Sequence, residues 1–194
     1  MSVAIEDTMI LETTQGTVTI GMRPDLAPGH VARIKELVRS GFYDGIVFHR
    51  VIDGFMAQTG CPKGNGTGGS GKNLKAEFNA EPHVRGTCSM ARSQFPDSGD
   101  SQFFICFDDA RFLDRQYTVW GKVISGMEHV DAIKRGEPVH NPDKIIRATM
   151  AEAPAAPAAP AASEGDEAPK AKKPAAKKPA AKKAPAKKAA KKAE

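Results

Sequence analysis

Arg50 is the residue whose position most needs a chemical reason. In Phe48-His49-Arg50-Val51-Ile52 a strand period of two puts it on the face of Phe48 and Ile52. A guanidinium on an apolar face is costly unless it is ion-paired or opens onto a pocket. An arginine snorkelling at the end of a sheet would give the same pattern, so its neighbours must decide. Phe55-Met56-Ala57-Gln58 adds two bulky apolar groups and an amide, and Ser101-Gln102-Phe103-Phe104 adds a second amide and two rings. Apolar surface, one cation and amides that both donate and accept suit an uncharged peptide ligand.

Other chemistries find no support in the spacing of the remaining residues. The five histidines are scattered, with no pair at metal-ligand spacing, and His49 reads as a core or rim residue of a strand. Asp97, Asp100, Asp108, Asp109 and Asp114 lie among loop residues and read as solvated surface. No strand-elbow-helix nucleophile motif is present. Gly64, Gly66 and Gly69 fit G-x-G-x-x-G, and Gly66, Gly71 and Lys72 approach a phosphate-binding loop, but Asn73 stands where a metal-holding hydroxyl belongs. Both patterns need a helix to follow, and the residues after Asn73 run into Glu81-Pro82 with little helical face. A glycine-rich surface loop is expected there. Neither a metal nor a cofactor is expected.

Strands and helices that would position Arg50 follow from the apolar periods. Residues 9–13 and 17–22 read as a hairpin around Thr14-Gln15-Gly16. Val31, Ile34, Leu37 and Val38 share a helix face that Pro28 opens and Gly41 stops. Residues 46–52, 55–59, 86–91, 101–106, 117–124 and 144–150 read as strands, and residues 127–134 as a second helix ended by Gly136. The expected fold is mainly β: a closed eight-stranded antiparallel barrel capped by two α-helices, since closure removes exposed sheet edges.

Charge divides the chain at the same place as composition. Of 28 basic and 23 acidic residues, 151–194 hold 11 lysines and 5 acids, which leaves 17 and 18 for residues 1–150. The folded domain is therefore expected at 1–150, near neutral, and residues 151–194 form an Ala/Pro/Lys tail with too little apolar surface to fold alone. Lys pairs begin at 172, 177, 182 and 187, and Pro174, Pro179 and Pro185 interrupt any helix, so a disordered tail is expected. Its lysines, from Lys170 through Lys192, would attract nucleic acid or another polyanion, or would only keep the chain solvated. No stretch is long and apolar enough for a membrane span, and the N-terminus lacks the basic start and apolar run of a secretory signal. Cys61, Cys88 and Cys106 show no paired spacing. A cytoplasmic, reduced, monomeric protein is expected, with no membrane association.

The run Phe48-His49-Arg50-Val51-Ile52-Asp53-Gly54-Phe55-Met56-Ala57-Gln58-Thr59-Gly60 resembles the signature of the cyclophilins. So do Asn65-Gly66-Thr67-Gly68-Gly69, Ser89-Met90-Ala91-Arg92, Ser101-Gln102-Phe103-Phe104-Ile105 and Gly121-Lys122-Val123, in order over residues 9–150. The resemblance implies a peptidyl-prolyl cis/trans isomerase that assists folding, acting on proline-containing peptides and unfolded proteins. It implies Arg50 and Gln58 as catalytic residues. It implies Phe55, Met56, Phe104 and Leu113 as walls of a proline pocket, and Ala91, Arg92 and Gln102, with Gln58, as holders of the peptide backbone. Phe112, Tyr117 and Arg92, further substrate-binding positions, stand where well-known eukaryotic members have tryptophan, histidine and asparagine, and in this the chain is similar to bacterial cyclophilins. The same changes imply weak cyclosporin binding, because Phe112 lacks an indole N–H donor. Two rival readings are a proline-peptide docking module and a ribosome- or nucleic-acid-associated chaperone that works through its tail.

Overall fold

The computed structural model describes residues 4–151, so the expectations for residues 152–194 lie outside the described residues. The first two strands, β1 (Thr8–Thr13) and β2 (Gly16–Met22), pair antiparallel from Thr8 opposite Gly21 to Thr13 opposite Gly16. Gly16 makes the tight turn at φ +138°, a backbone region that side chains disfavour. Helix α1 (Pro28–Arg39) starts at proline and buries Val31, Ile34, Leu37 and Val38, the expected face, together with His30. Its N-terminus has no local side-chain cap. Instead, Glu77 reaches in from the irregular segment before β5, accepting the Gly29 and His30 backbone N–H groups at 2.9 Å each.

Six further strands follow: β3 (Arg50–Ile52), β4 (Met56–Thr59), β5 (Thr87–Met90), β6 (Phe103–Cys106), β7 (Val119–Ser125) and β8 (Ile145–Met150). Helix α2 (Met127–Asp131) precedes β8 and is shorter than the expected 127–134. Three short 3-10 turns at Ile5–Asp7, Pro96–Ser98 and Arg111–Leu113 carry no periodic signal in the sequence. The sheet is wholly antiparallel, in the order β3-β4-β6-β5-β7-β2-β1-β8.

That order corrects the expected closed barrel. β3 and β8 are the two ends of an open, curled sheet and do not pair with each other. The expected strand 46–52 is regular only from Arg50, so β3 is too short to meet β8 along a ladder. Irregular backbone occupies the gap instead: Gly45 donates to the Ile145 carbonyl at 2.8 Å, Ile145 to Ile46 at 2.8 Å and Phe48 to Asp143 at 2.9 Å. A single bridge, Val47–Lys144, lies among them. These contacts cover the edges without forming a strand pair, which serves the same need to satisfy edge N–H and C=O groups.

Two apolar clusters lie on opposite faces of β6. Phe103 and Ile105 enter the main core with Trp120, Tyr43, Phe48 and Val51, whereas Phe104 and Cys106 join a smaller cluster with Met56, Ala110 and Leu113. All four β6 residues are buried, which is why Phe103-Phe104-Ile105-Cys106 reads as continuous apolar sequence rather than an alternation. β8 ends at Met150, and Ala151 donates its N–H to the Thr8 carbonyl at 2.8 Å. Among the described residues no helix is long and apolar enough to cross a membrane.

Candidate active site

Strand register assembles the site. β3 pairs with β4 so that Arg50 lies opposite Gln58, and β4 pairs with β6 so that Gln58 lies opposite Phe104. Directly opposed residues of an antiparallel sheet share a face, so Arg50, Gln58 and Phe104 form one row across three strands. Ile52, Met56 and Cys106 form the next row in the same way. The expected company of Phe48 is not found. Phe48 enters the main core, as Val51 does, because the chain is irregular before Arg50 and the period of two does not carry through His49. Ile52 does share the face of Arg50 and packs against the smaller cluster.

Over these rows opens a cavity of about 620 Å³, within the range of small-molecule and peptide sites. Of the residues singled out in the sequence, Arg50, Phe55, Met56, Gln58, Ala91, Arg92, Phe104, Leu113 and Tyr117 line it. Gln102 and Phe112 do not. Gln102 faces an adjoining recess, where its side-chain amide donates to the Gly66 and Gly68 carbonyls at 2.8 and 2.7 Å and its oxygen accepts from Gln58 Nε2 at 3.0 Å. It therefore fixes the Gln58 amide and ties down the glycine loop. Phe112 is 66% exposed and rests on Phe55, ring centroids 5.4 Å apart, at the margin of the cavity. The Ala91 N–H is already bonded to the Gln102 carbonyl at 2.9 Å.

Arg92 is a wall rather than a free cation. Its Nε and Nη2 donate to the Gln116 carbonyl and its Nη1 to that of Ser93, while its guanidinium lies 4.6 Å from the Tyr117 ring centroid and 5.6 Å from that of Phe78. Arg50 is paired but still opens onto the cavity: its Nε–H donates to Glu137 Oε1 at 2.5 Å. Glu137, Pro138, His49, Gly64, Asn65 and Gly66 complete the lining. The loop after Gly71-Lys72 is not followed by a helix, which removes the structural context a phosphate loop needs. Burial, and then the neighbouring Arg50 charge, lower the pKa of His49, whose ring nitrogens have no partner among the described residues.

Beneath the cavity lies a polar support that sequence reasoning missed. His83 is fully buried and stacks on Phe104 at 6.2 Å, with the Tyr117 ring edge-on to Phe104 at 5.8 Å. Its Nδ1 lies 3.1 Å from Asp114 and its Nε2 lies 3.0 Å from Ser89 Oγ. Asp114, expected as solvated surface, also accepts the His83 backbone N–H at 2.7 Å and pairs with Arg111. Desolvation works against its charge, but Arg111 and the His83 donors outweigh it and hold its pKa down at about 2. Asp100 and Asp97 likewise accept backbone N–H groups, from Gly71 at 2.9 Å and Ala76 at 2.8 Å. An Asp on a loop carries no period to reveal such partners. Only side-chain chemistry, the habit of Asp to accept backbone N–H bonds, hinted at it.

Residues 8–151 match the family model of cyclophilin type peptidyl-prolyl cis-trans isomerases. The chain is 58% identical to a probable peptidyl-prolyl cis-trans isomerase of Brucella suis, with 75% of this chain and 83% of that protein covered. It is 43% identical to a peptidyl-prolyl cis-trans isomerase of Synechococcus elongatus, covering 71% and 91%. Among solved structures it is similar to a cyclophilin of Hirschia baltica, with TM-score 0.72, 33% identity and coverage of 77% and 76%. It is also similar to a Cryptosporidium parvum cyclophilin type isomerase solved in the presence of the dipeptide Ala-Pro, with TM-score 0.70, 26% identity and coverage of 75% and 99%. With an apolar cavity, a guanidinium at its wall and these relatives, the chain belongs to the cyclophilin family and catalyses rotation about X-Pro peptide bonds.

Proposed function

We propose that Arg50 supplies the catalysis, Gln58 grips the peptide beside it, and Phe55, Met56, Phe104 and Leu113 hold the proline ring. The observation that carries this reading is the row Arg50–Gln58–Phe104, which sets a cation, an amide and an aromatic surface side by side at one cavity. Rotation about the prolyl amide is held back by roughly 18–20 kcal/mol of resonance energy. In the twisted state the prolyl nitrogen regains its lone pair and accepts hydrogen bonds better than in either planar state. A guanidinium fixed near it binds the twisted state preferentially, and that difference is the rate enhancement. No covalent bond or proton transfer is required. Ala91, Arg92, Gln102, Phe112 and Tyr117 then act on the flanking peptide, Gln102 through Gln58 and Phe112 through Phe55. The Ala-Pro dipeptide present with the Cryptosporidium parvum protein has the size and chemistry this reading asks of a minimal ligand.

Arg50→Ala should lower kcat/KM for a short X-Pro peptide on the order of 10²–10³-fold, the usual loss for one preorganised donor. Its circular dichroism should stay that of the parent. A folded variant with full turnover would refute the assignment.

The clients are unfolded proteins with exposed X-Pro bonds, met in a reducing compartment such as the cytoplasm, where Cys61, Cys88 and Cys106 stay free thiols. A second reading concerns the tail: 11 lysines on a chain whose remainder is near neutral favour a tether to nucleic acid or another polyanion.

A further inference from the structure

Arg50 and Glu137 are 87 residues apart in sequence, yet the Arg50 Nε–H donates to Glu137 Oε1 at 2.5 Å and both line the same cavity. Backbone geometry delivers the carboxylate. Gly136 and Val51 exchange two hydrogen bonds, N–H to carbonyl in each direction, both 2.8 Å, which straps the turn after α2 to the outer edge of β3. Gly136 has φ +152°, and a Cβ there would lie 2.7 Å from the Pro138 carbonyl oxygen and 2.8 Å from Val139 Cα, so position 136 is open only to glycine. Glu137 is the next residue. Its side chain and that of Arg50 are 55% and 40% exposed. An ion pair that open adds little to folding stability, because water and salt screen it.

A guanidinium has five N–H donors in a rigid plane on a flexible stem. Engaging Nε fixes the tilt of that plane and uses neither terminal nitrogen, and Arg50 lines the cavity. We infer that Glu137 is a positioning residue for the isomerisation: its carboxylate orients the Arg50 guanidinium toward the twisted prolyl bond. The inference rests on Arg50 being the catalytic group. It assigns Glu137 no contact with the substrate, and it places the benefit in the transition state, where orientation of a donor counts most.

The test measures kcat and KM separately on the full chain with one short X-Pro peptide, for Glu137→Ala, Glu137→Gln, Arg50→Ala and the double variant Arg50→Ala/Glu137→Ala. Glu137→Ala should lower kcat about tenfold, less than loss of the donor itself, with KM changed less than about twofold. Glu137→Gln keeps an acceptor oxygen for the Nε–H and should recover most of that loss. In the Arg50→Ala background the Glu137 substitution should have no further effect. Thermal melting of both single Glu137 variants should match the parent, as expected of an exposed pair. Unchanged or raised kcat in Glu137→Ala, a rise in KM alone, or an additive loss in the double variant would each overturn the positioning role while leaving Arg50 in place. Full kcat in Arg50→Ala would instead remove the reading on which the inference stands.

Discussion

At the scale of single residues, the site depends on the difference between charge and shape. Arg50→Lys keeps a cation at the cavity wall but loses the planar fork that Glu137 holds by Nε. It should recover less than about a tenth of the parent kcat/KM, measured on the same peptide as Arg50→Ala. Buried imidazoles give a second residue-scale expectation. Burial lowers the pKa of His83 and of His30 against the opposing influence of their carboxylate partners Asp114 and Glu77. An unfolded chain takes up those protons near pH 6.5, whereas the folded one takes them up only at lower pH. Stability from these groups is therefore complete above about pH 6.5 and is lost as pH falls toward the lowered folded values. The melting temperature should fall as pH drops below about 6.5, and the His83 ring resonances should titrate with a midpoint below that value. A flat stability profile with a normally titrating His83 would contradict the lowered pKa of the buried ring.

Elements of the fold are held at their ends by residues distant in sequence. Helix α1 starts at Pro28, which needs no N–H partner, and its next two N–H groups are bonded by Glu77. Glu77 also lies 2.6 Å from His30 Nδ1, so one carboxylate serves two backbone donors and a ring. Desolvation opposes its charge, but His30 and the two N–H groups together lower its pKa. Glu77→Ala should cost about 1–2 kcal/mol, the upper range for loss of a helix cap with its favourable charge at the helix N-terminus. Urea unfolding at pH 7 reads this directly as a lower midpoint with an unchanged slope. A shift within error would mean that water replaces the carboxylate at no cost.

For the whole molecule, Ala151 still bonds to Thr8 at the limit of the described residues, and the lysines of the remaining sequence begin at Lys170. Truncation after Ala151 should leave turnover of a short prolyl peptide unchanged and abolish binding to nucleic acid. For the full chain on duplex, log K should fall with log salt at about −0.9 per phosphate neutralised. Equal binding by the truncated protein would move the polyanion site into the domain. Binding insensitive to salt would point to a specific protein partner instead.

The sequence by itself determined what local periodicity and residue chemistry can encode. The β1–β2 hairpin and the buried face of α1 lie within short stretches whose period assigns each side chain a face. Arg50, Phe55, Met56 and Gln58 are close in sequence, although register and a turn rather than the period bring them to one cavity. The uninterrupted order of motifs carried the family, and with it the reaction. Only the tertiary structure decided that the sheet stays open, because that depends on where β3 begins and on how irregular backbone fills the gap between β3 and β8. It alone sent Phe48 to the main core, set Gln102 and Phe112 off the cavity, and put His83 under Phe104. Glu137 on Arg50 and Glu77 on α1 belong to the same class, contacts 87 and 47 to 48 residues apart in sequence. Such pairs are made by loops, which have no hydrophobic period to betray their direction, and they become visible only when strand register and turn geometry bring the two ends together.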